Sequence, residues 1–514
     1  MDAVVSRLLQ PDVAVGAVVV VTSAVVGQVL WNLKFSPLAR QNIPGPWYTA
    51  ISDFWYGWQG VRFRRVMAID DLFKEYGPVV RIGPNSVAFL DSQVIHEIYR
   101  TYAHNKGAFF ENGTFGGKPN SIMTTDSAVH ARFRRWHIGA FRKDRMRLTA
   151  NALVEQMDDL VERLTDDCAG GNPVDVLLLS QIHALDVLGI SILNTKFQQI
   201  RKREEHPAIK YHIDWLFDLA MRVALSGPLY NIMKALPVKR LREIFSADAG
   251  MCAFAGQLYD ETPDVPPAEK DEMMSIVAAG KWHRDPVTGE ATPKAEVSSE
   301  MGCFVLAGID TASVSQTFAL YELARQPKIY ENVRAELRAA SKHGNVYDGD
   351  LLRSLPYLNA LVKEVLRANG PASLFLERVI PAGRPVALAG YQIPAGTTVG
   401  CTPRSTALRE DLFPDPELVN PERWVEMKDG AWATRNDATI ADMNAAWWPF
   451  GLGVRACVGR PLAELQMLMT TAALVSAFRI DLHKSTTPDS MSAMEIVVIQ
   501  PKAQQCLLHF THTL

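Results

Sequence analysis

The run Phe450-Gly451-Leu452-Gly453-Val454-Arg455-Ala456-Cys457-Val458-Gly459 fits the pattern F-x-x-G-x-R-x-C-x-G at every fixed position. Three glycines around one cysteine call for a tight loop that brings its backbone close to whatever the sulfur faces, with no Cβ in the way. The N–H groups just beyond Cys457 can hydrogen-bond the sulfur and stabilise a thiolate. Arg455, two residues before it, carries a forked guanidinium suited to carboxylates. The five fixed positions would be met by chance in roughly one chain of this size in several thousand, so the rest of the sequence must agree before the loop can be read.

A loop of this kind needs a large scaffold, and the chain can supply one. It has 514 residues, of which 48% are hydrophobic, and no Gly/Ser linker, low-complexity block or internal repeat divides it. One large unit is therefore expected where length alone would allow two or three domains. The net charge of −3 argues against a nucleic-acid partner. Six scattered cysteines without C-x-x-C spacing point to a reducing compartment and free thiols. Apolar periodicity predicts a buried central helix over 297–325 and amphipathic helices over 331–342 and 358–369. Short strands are expected over 78–84 and 86–90, small sheet elements over 386–403, and a surface connection over 260–296. Helices far outnumber strands, so the class is mainly α with a minor β portion.

Upstream of the cysteine run stand Ala307-Gly308-Ile309-Asp310-Thr311, then Glu364-Val365-Leu366-Arg367, then Pro421-Glu422-Arg423-Trp424. Together and in this order, the four segments resemble the signatures of the cytochrome P-450 monooxygenase superfamily, over almost the whole chain from residue 44 onward. The resemblance implies the cytochrome P-450 fold and a haem b whose iron takes Cys457 as axial thiolate, a ligand that favours O–O cleavage. It implies that Phe450, Gly453 and Gly459 shape the loop beside the haem, and that Arg455, Arg378 and Arg134 hold its propionates. The commonest pattern at the last of these is W-x-x-x-R. Here His130 replaces the tryptophan, and its ring nitrogen can still donate to a propionate.

Ala307 and Gly308 would keep the central helix thin where O2 sits. Asp310 and Thr311 would be the acid and alcohol that deliver the two protons O2 reduction needs. The plainer reading is a buried acid paired with an arginine and a threonine bonded to its own turn. Glu364 and Arg367 share a helical face at i, i+3, and the resemblance makes them a buried structural triad with Arg423. An exposed surface pair is the alternative. Phe304, Ala372, Leu374, Phe375 and Met494 are expected to line an apolar substrate pocket, although each suits core packing equally well.

Val13 to Trp31 carries no charge and is long enough to span a bilayer once. A cleaved signal peptide competes with this reading, but no small-x-small site follows. Lys34 and Arg40 follow without an acid before Asp53, which places the main body in the cytosol. The expected organisation is a short lumenal N-terminus (1–12), a transmembrane anchor (13–31), a proline-rich hinge (32–47) and a catalytic domain (48–514). This resembles fungal microsomal members of the superfamily, single-pass in the endoplasmic reticulum membrane. Their partners would be an NADPH-dependent flavoprotein reductase, cytochrome b5 and a lipophilic small molecule. NADPH would bind the reductase, because Gly451-x-Gly453-x-x-Ala456 has neither a preceding strand nor a later acid for a ribose. The basic stretch Arg132 to Arg147 suits an acidic electron donor or, equally, a solvated face. A haem-thiolate isomerase or dehydratase, or a non-enzymatic haem sensor, are the competing functions, and the intact Asp310-Thr311 pair argues against both.

Overall fold

The computed structural model describes residues 11–101, 105–225, 227–264, 275–285, 288–342, 345–383 and 385–513. Helix takes 60% and strand 11%, so the class is mainly α with minor β. The residues form two compact units, Met1–Asn105 with Glu377–Cys401, and Lys106–Leu376 with Thr402–Leu514.

The first unit begins with the helix Pro11–Leu30. Twenty residues at 1.5 Å rise reach about 30 Å, the thickness of a bilayer core. Val19, Val20, Val21, Val25 and Val26 are all exposed, each by more than half. An apolar surface of this size is unfavourable in water, and the helical stretch Val19–Gln41 that continues from it is a candidate membrane span. Two other helical stretches are equally apolar, Val176–Leu193 and Lys294–Arg325, but both are buried within protein. The helical path does not end at Trp31. It widens into a π-turn over Trp31–Phe35 and tightens into a 3-10 turn over Ala39–Gln41 before reaching Pro44. Behind it lies a four-stranded sheet in the order Val79–Gly83, Ser86–Phe89, Thr398–Gly400, Arg378–Val379. Its middle pair is parallel and its outer pairs antiparallel.

The second unit is built around the helix Lys294–Arg325, buried almost throughout because its sequence is apolar or small on every face. Val176–Leu188 packs along it so closely that a Cβ on Gly308 would stand 2.6 Å from a methyl of Leu188. Against it also lie Pro207–Ala224, Lys239–Glu261, Pro356–Asn369 and Arg460–Ala477. A hairpin, Ala493–Ile496 with Val498–Pro501, closes one end. The expected surface connection over 260–296 needs correction. Part of it falls outside the described residues, but Ile276–Trp282 is a helix with Ile276, Val277 and Ala278 buried. Its apolar run was too short to stand out among the prolines around it.

Candidate active site

The cysteine loop is shaped by its own backbone. Gly451 and Gly453 both sit at φ +69°, a conformation that favours glycine. Gly451 N–H donates to Trp448 O at 2.9 Å, Ala456 N–H to Gly453 O at 3.0 Å, and Cys457 N–H to Phe450 O at 2.8 Å. Cys457 is an exposed residue of the loop. Its sulfur is nonetheless surrounded by protein, and that desolvation raises the thiol's pKa. The N–H groups of Gly459 and Arg460 and the charges of Arg134 and Arg460 oppose the rise by favouring the thiolate.

Glu364 fixes the loop from behind. Its carboxylate is fully buried and accepts from Arg367 (2.9 and 2.8 Å), Arg423 Nε (3.0 Å), the Trp424 indole (2.7 Å) and Asn420 N–H (3.1 Å). Arg367 then donates to Ala407 O at 2.8 Å. Beside Ala407, Thr406 donates to Ala446 O and accepts from the Trp448 indole, immediately before the loop. Trp447 donates to Lys363 O at 3.0 Å. The expected triad is therefore part of a network that reaches the cysteine loop through named hydrogen bonds. Trp424 and Asn420 belong to it without having been foreseen.

A cluster of cations lies next to the loop. Arg134 donates to Ala456 O at 3.1 Å, and Arg455 to Thr124 O at 3.1 Å and Asp126 O at 3.3 Å. Among the described residues, no carboxylate pairs with Arg134. The buried His130 lies among them, its pKa lowered to about 3 by desolvation and by the charges of Arg455, Lys106 and Arg134. The imidazole is therefore neutral. Lys106 was missed at the sequence level because it belongs to none of the motifs. It is buried, lies 4.0 Å from the Phe110 ring centre and donates to Ile122 O. Arg378 belongs to the first unit, where it is buried, donates to Glu377 O at 2.8 Å and lies 4.9 Å from the Tyr99 ring centre. Of the basic stretch, Arg132 pairs with Glu296 at 2.5 Å, Arg142 with Asp144 and Arg147 with Asp350.

From 297 to 323 only Phe304, Ala307, Gly308 and Thr311 of the central helix are not buried. The spacing i, i+3, i+4, i+7 places them on one open stripe. The Thr311 hydroxyl donates to Ala307 O at 2.7 Å, within its own helix. Asp310 is buried beside the stripe and accepts from Gln500, not from an arginine. Phe304 turns toward Ser127–Ala140 and its end, 4.8 Å from the His137 ring centre and stacked on Phe141 at 6.2 Å. Ala372 and Leu374 are partly open, and Phe375 is buried. Ile499 N–H donates to Pro371 O at 2.9 Å, which draws their segment to the hairpin carrying the partly open Met494.

These features fit a haem. There is a soft ligand on an exposed loop, covered by N–H groups, and a cluster of cations around a neutral imidazole to receive two carboxylates. A slim open stripe lies on the central helix. The comparisons agree. A sequence profile described as Cytochrome P450 matches residues 44–507. The chain is 26% identical over 482 residues to Cytochrome P450 monooxygenase macH of Penicillium terrestre, covering 92% of each protein. It is 26% identical to Cytochrome P450 monooxygenase cypX of Dothistroma septosporum, over 98% of this chain and 97% of the relative. To Tryprostatin B 6-hydroxylase of Aspergillus fumigatus it is likewise 26% identical, over 88% of this chain and 76% of the relative. The chain belongs to the cytochrome P450 family, whose members carry a haem iron on a cysteine thiolate, and it is a monooxygenase of that family.

Proposed function

We propose that the protein is a membrane-anchored monooxygenase that uses O2, with electrons from NADPH through a flavoprotein reductase and cytochrome b5, to oxidise a lipophilic small molecule. The helix Pro11–Leu30 is its single span in the endoplasmic reticulum membrane, with the catalytic units on the cytosolic side. A product of secondary metabolism is the favoured substrate class. The support is a relative whose name states that it hydroxylates tryprostatin B, in a fungus.

The haem, when bound, supplies the oxygen activation. Cys457 would supply the thiolate that holds it, and the Gly459 and Arg460 N–H groups favour the anionic form of that sulfur. Arg455, Arg134, His130 and Lys106 would hold the propionates. Glu364, Arg367 and Arg423 hold the loop still. Thr311 offers its hydroxyl proton from the open stripe, and Asp310 replaces it. Ala372, Leu374 and Met494 present apolar surface to the substrate, and Phe304 supports the stripe from its edge.

The observation that carries the reading is the cysteine loop, exposed and with its sulfur under two N–H donors. The test is the carbon-monoxide difference spectrum of the reduced protein beside a Cys457→Ala control. A thiolate-type Soret band that is lost in the control is expected. A histidine-type band in the unmutated protein would overturn the assignment.

A further inference from the structure

The Asp310 carboxylate is 2% exposed, and three elements meet around it. Its own helix Lys294–Arg325 carries it in. Gln500, on the strand Val498–Pro501, donates to both of its oxygens, at 2.9 and 3.1 Å. From the third side, on the helix Pro207–Ala224, His212 brings its Nε2 to 3.5 Å from Oδ1. His212 is completely buried, and neither of its ring nitrogens has a hydrogen-bond partner. Buried polar groups are almost always paired, so a fully buried imidazole with both nitrogens bare stands out. The carboxylate it faces is that of Asp310, through Oδ1. A movement of a few tenths of an ångström would make a charge-assisted hydrogen bond of normal length.

We propose that His212 is a positioning residue for Asp310, donating from Nε2 to Oδ1 when the helix Pro207–Ala224 settles onto the central helix. Gln500 already occupies one side of the carboxylate and cannot choose between its two oxygens. A donor on Oδ1 alone breaks that symmetry and fixes which oxygen turns toward the Thr311 side. A carboxylate sealed from water takes its orientation from its protein neighbours only. The inference rests on the reading of Asp310 as the acid of the reaction.

The test uses the full haem-loaded chain and four variants: His212→Phe, which keeps a ring and removes both nitrogens, His212→Asn, which keeps a donor, Asp310→Asn, and the double variant His212→Phe/Asp310→Asn. The first readout is the urea midpoint, which needs no turnover. The two single effects should not add in the double variant, because the interaction lost is the same one. The second is hydrogen peroxide released per NADPH oxidised, with a flavoprotein reductase and no added organic substrate. His212→Phe should raise that ratio about two- to ten-fold, the range a lost hydrogen bond of ordinary strength gives. His212→Asn should stay near the unmutated protein, and His212→Phe should add nothing once Asp310 is Asn. Additive midpoints, or a ratio unmoved by His212→Phe while Asp310→Asn raises it, would overturn the role of His212. A ratio unmoved by Asp310→Asn would instead sink the acid role of Asp310, and the inference with it. If His212→Phe does not take up haem, His212→Leu, which also removes both nitrogens, takes its place in the same cycle with Asp310→Asn, and additivity again counts against the pairing.

Discussion

Behind the cysteine loop, one carboxylate accepts five hydrogen bonds from four residues, and every donor sits on a different part of the fold from the loop it steadies. Along the open stripe of the central helix, the polar groups are few. Thr311 has one hydrogen bond, to its own turn, and Asp310 is held by Gln500 with His212 just out of reach. The difference follows from what each side must do. A ligand sulfur has to stay put, and dense satisfied hydrogen bonding in a water-free interior gives rigidity. A proton donor has to exchange its partner, which a saturated network would prevent.

The sharpest way to break this comparison is at Glu364. Replacing it with alanine leaves Arg367 and Arg423 beside an empty carboxylate site, with Arg367 fully buried. Removing one partner of a buried ion pair costs about 3–5 kcal/mol. Glu364→Ala should therefore lose most of its haem and unfold at clearly lower denaturant. Thr311→Ala, on the open stripe, should load haem normally and keep its unfolding midpoint. Equal losses in the two variants, measured by haem content and urea titration, would remove the distinction between the sides.

Much of the rigid side was legible in the sequence, because its motifs are local. The loop lies within ten residues, and Glu364 and Arg367 are one helical turn apart. The groups that were missed make their contacts across long stretches of chain. Gln500 meets Asp310 across 190 residues, and Asn420 meets Glu364 across 56. Trp424 stood in a recognised segment, but nothing in the one-dimensional pattern says that its indole N–H points at a carboxylate. Lys106 and His212 are single charged or polar residues outside any repeat, so only tertiary packing reveals them. The apolar N-terminal helix was legible in its composition, whereas its continuation to Phe35 and Gln41 falls in the segment read as a proline-rich hinge.

A smaller effect is expected at the cation cluster, between the two sides. Arg134→Ala and Lys106→Ala should each weaken haem retention by about ten- to a hundred-fold, the worth of one charge-assisted hydrogen bond. Haem transfer to apomyoglobin measures this, and unchanged retention in both would remove the cluster from the propionate site. The haem-free protein should also show the cluster through pH. His130 is held at about 3 by desolvation and by Arg455, Lys106 and Arg134, well below the ordinary value near 6.5. Between these values the unfolded chain binds a proton that the folded one refuses, so stability falls as pH drops from about 6.5 toward 3. His130→Phe should flatten that part of the curve. A variant whose stability falls as steeply as the parent's would show that other groups are responsible.

The finest comparison sets two glycines against each other, one from each side. Gly451 has room for a side chain, since a Cβ there would meet Ala456 Cα at 3.8 Å, but its φ of +69° suits few residues. Gly308 has ordinary helical geometry, but a Cβ would stand 2.6 and 2.8 Å from the two methyls of Leu188. Gly451→Ala should therefore cost about 1–2 kcal/mol through backbone strain alone. Asparagine, which tolerates the left-handed region, should recover part of that loss. Gly308→Ala should cost about 1–3 kcal/mol through overpacking, and Gly308→Asn should be worse because it adds volume and a buried amide. In the Gly308→Ala background, Leu188→Ala should restore stability by opening space, and in the Gly451→Ala background it should not. Urea titration of these variants separates a loop limited by conformation from a helix limited by contact. Rescue of Gly451→Ala by Leu188→Ala, or failure to rescue Gly308→Ala, would contradict that separation.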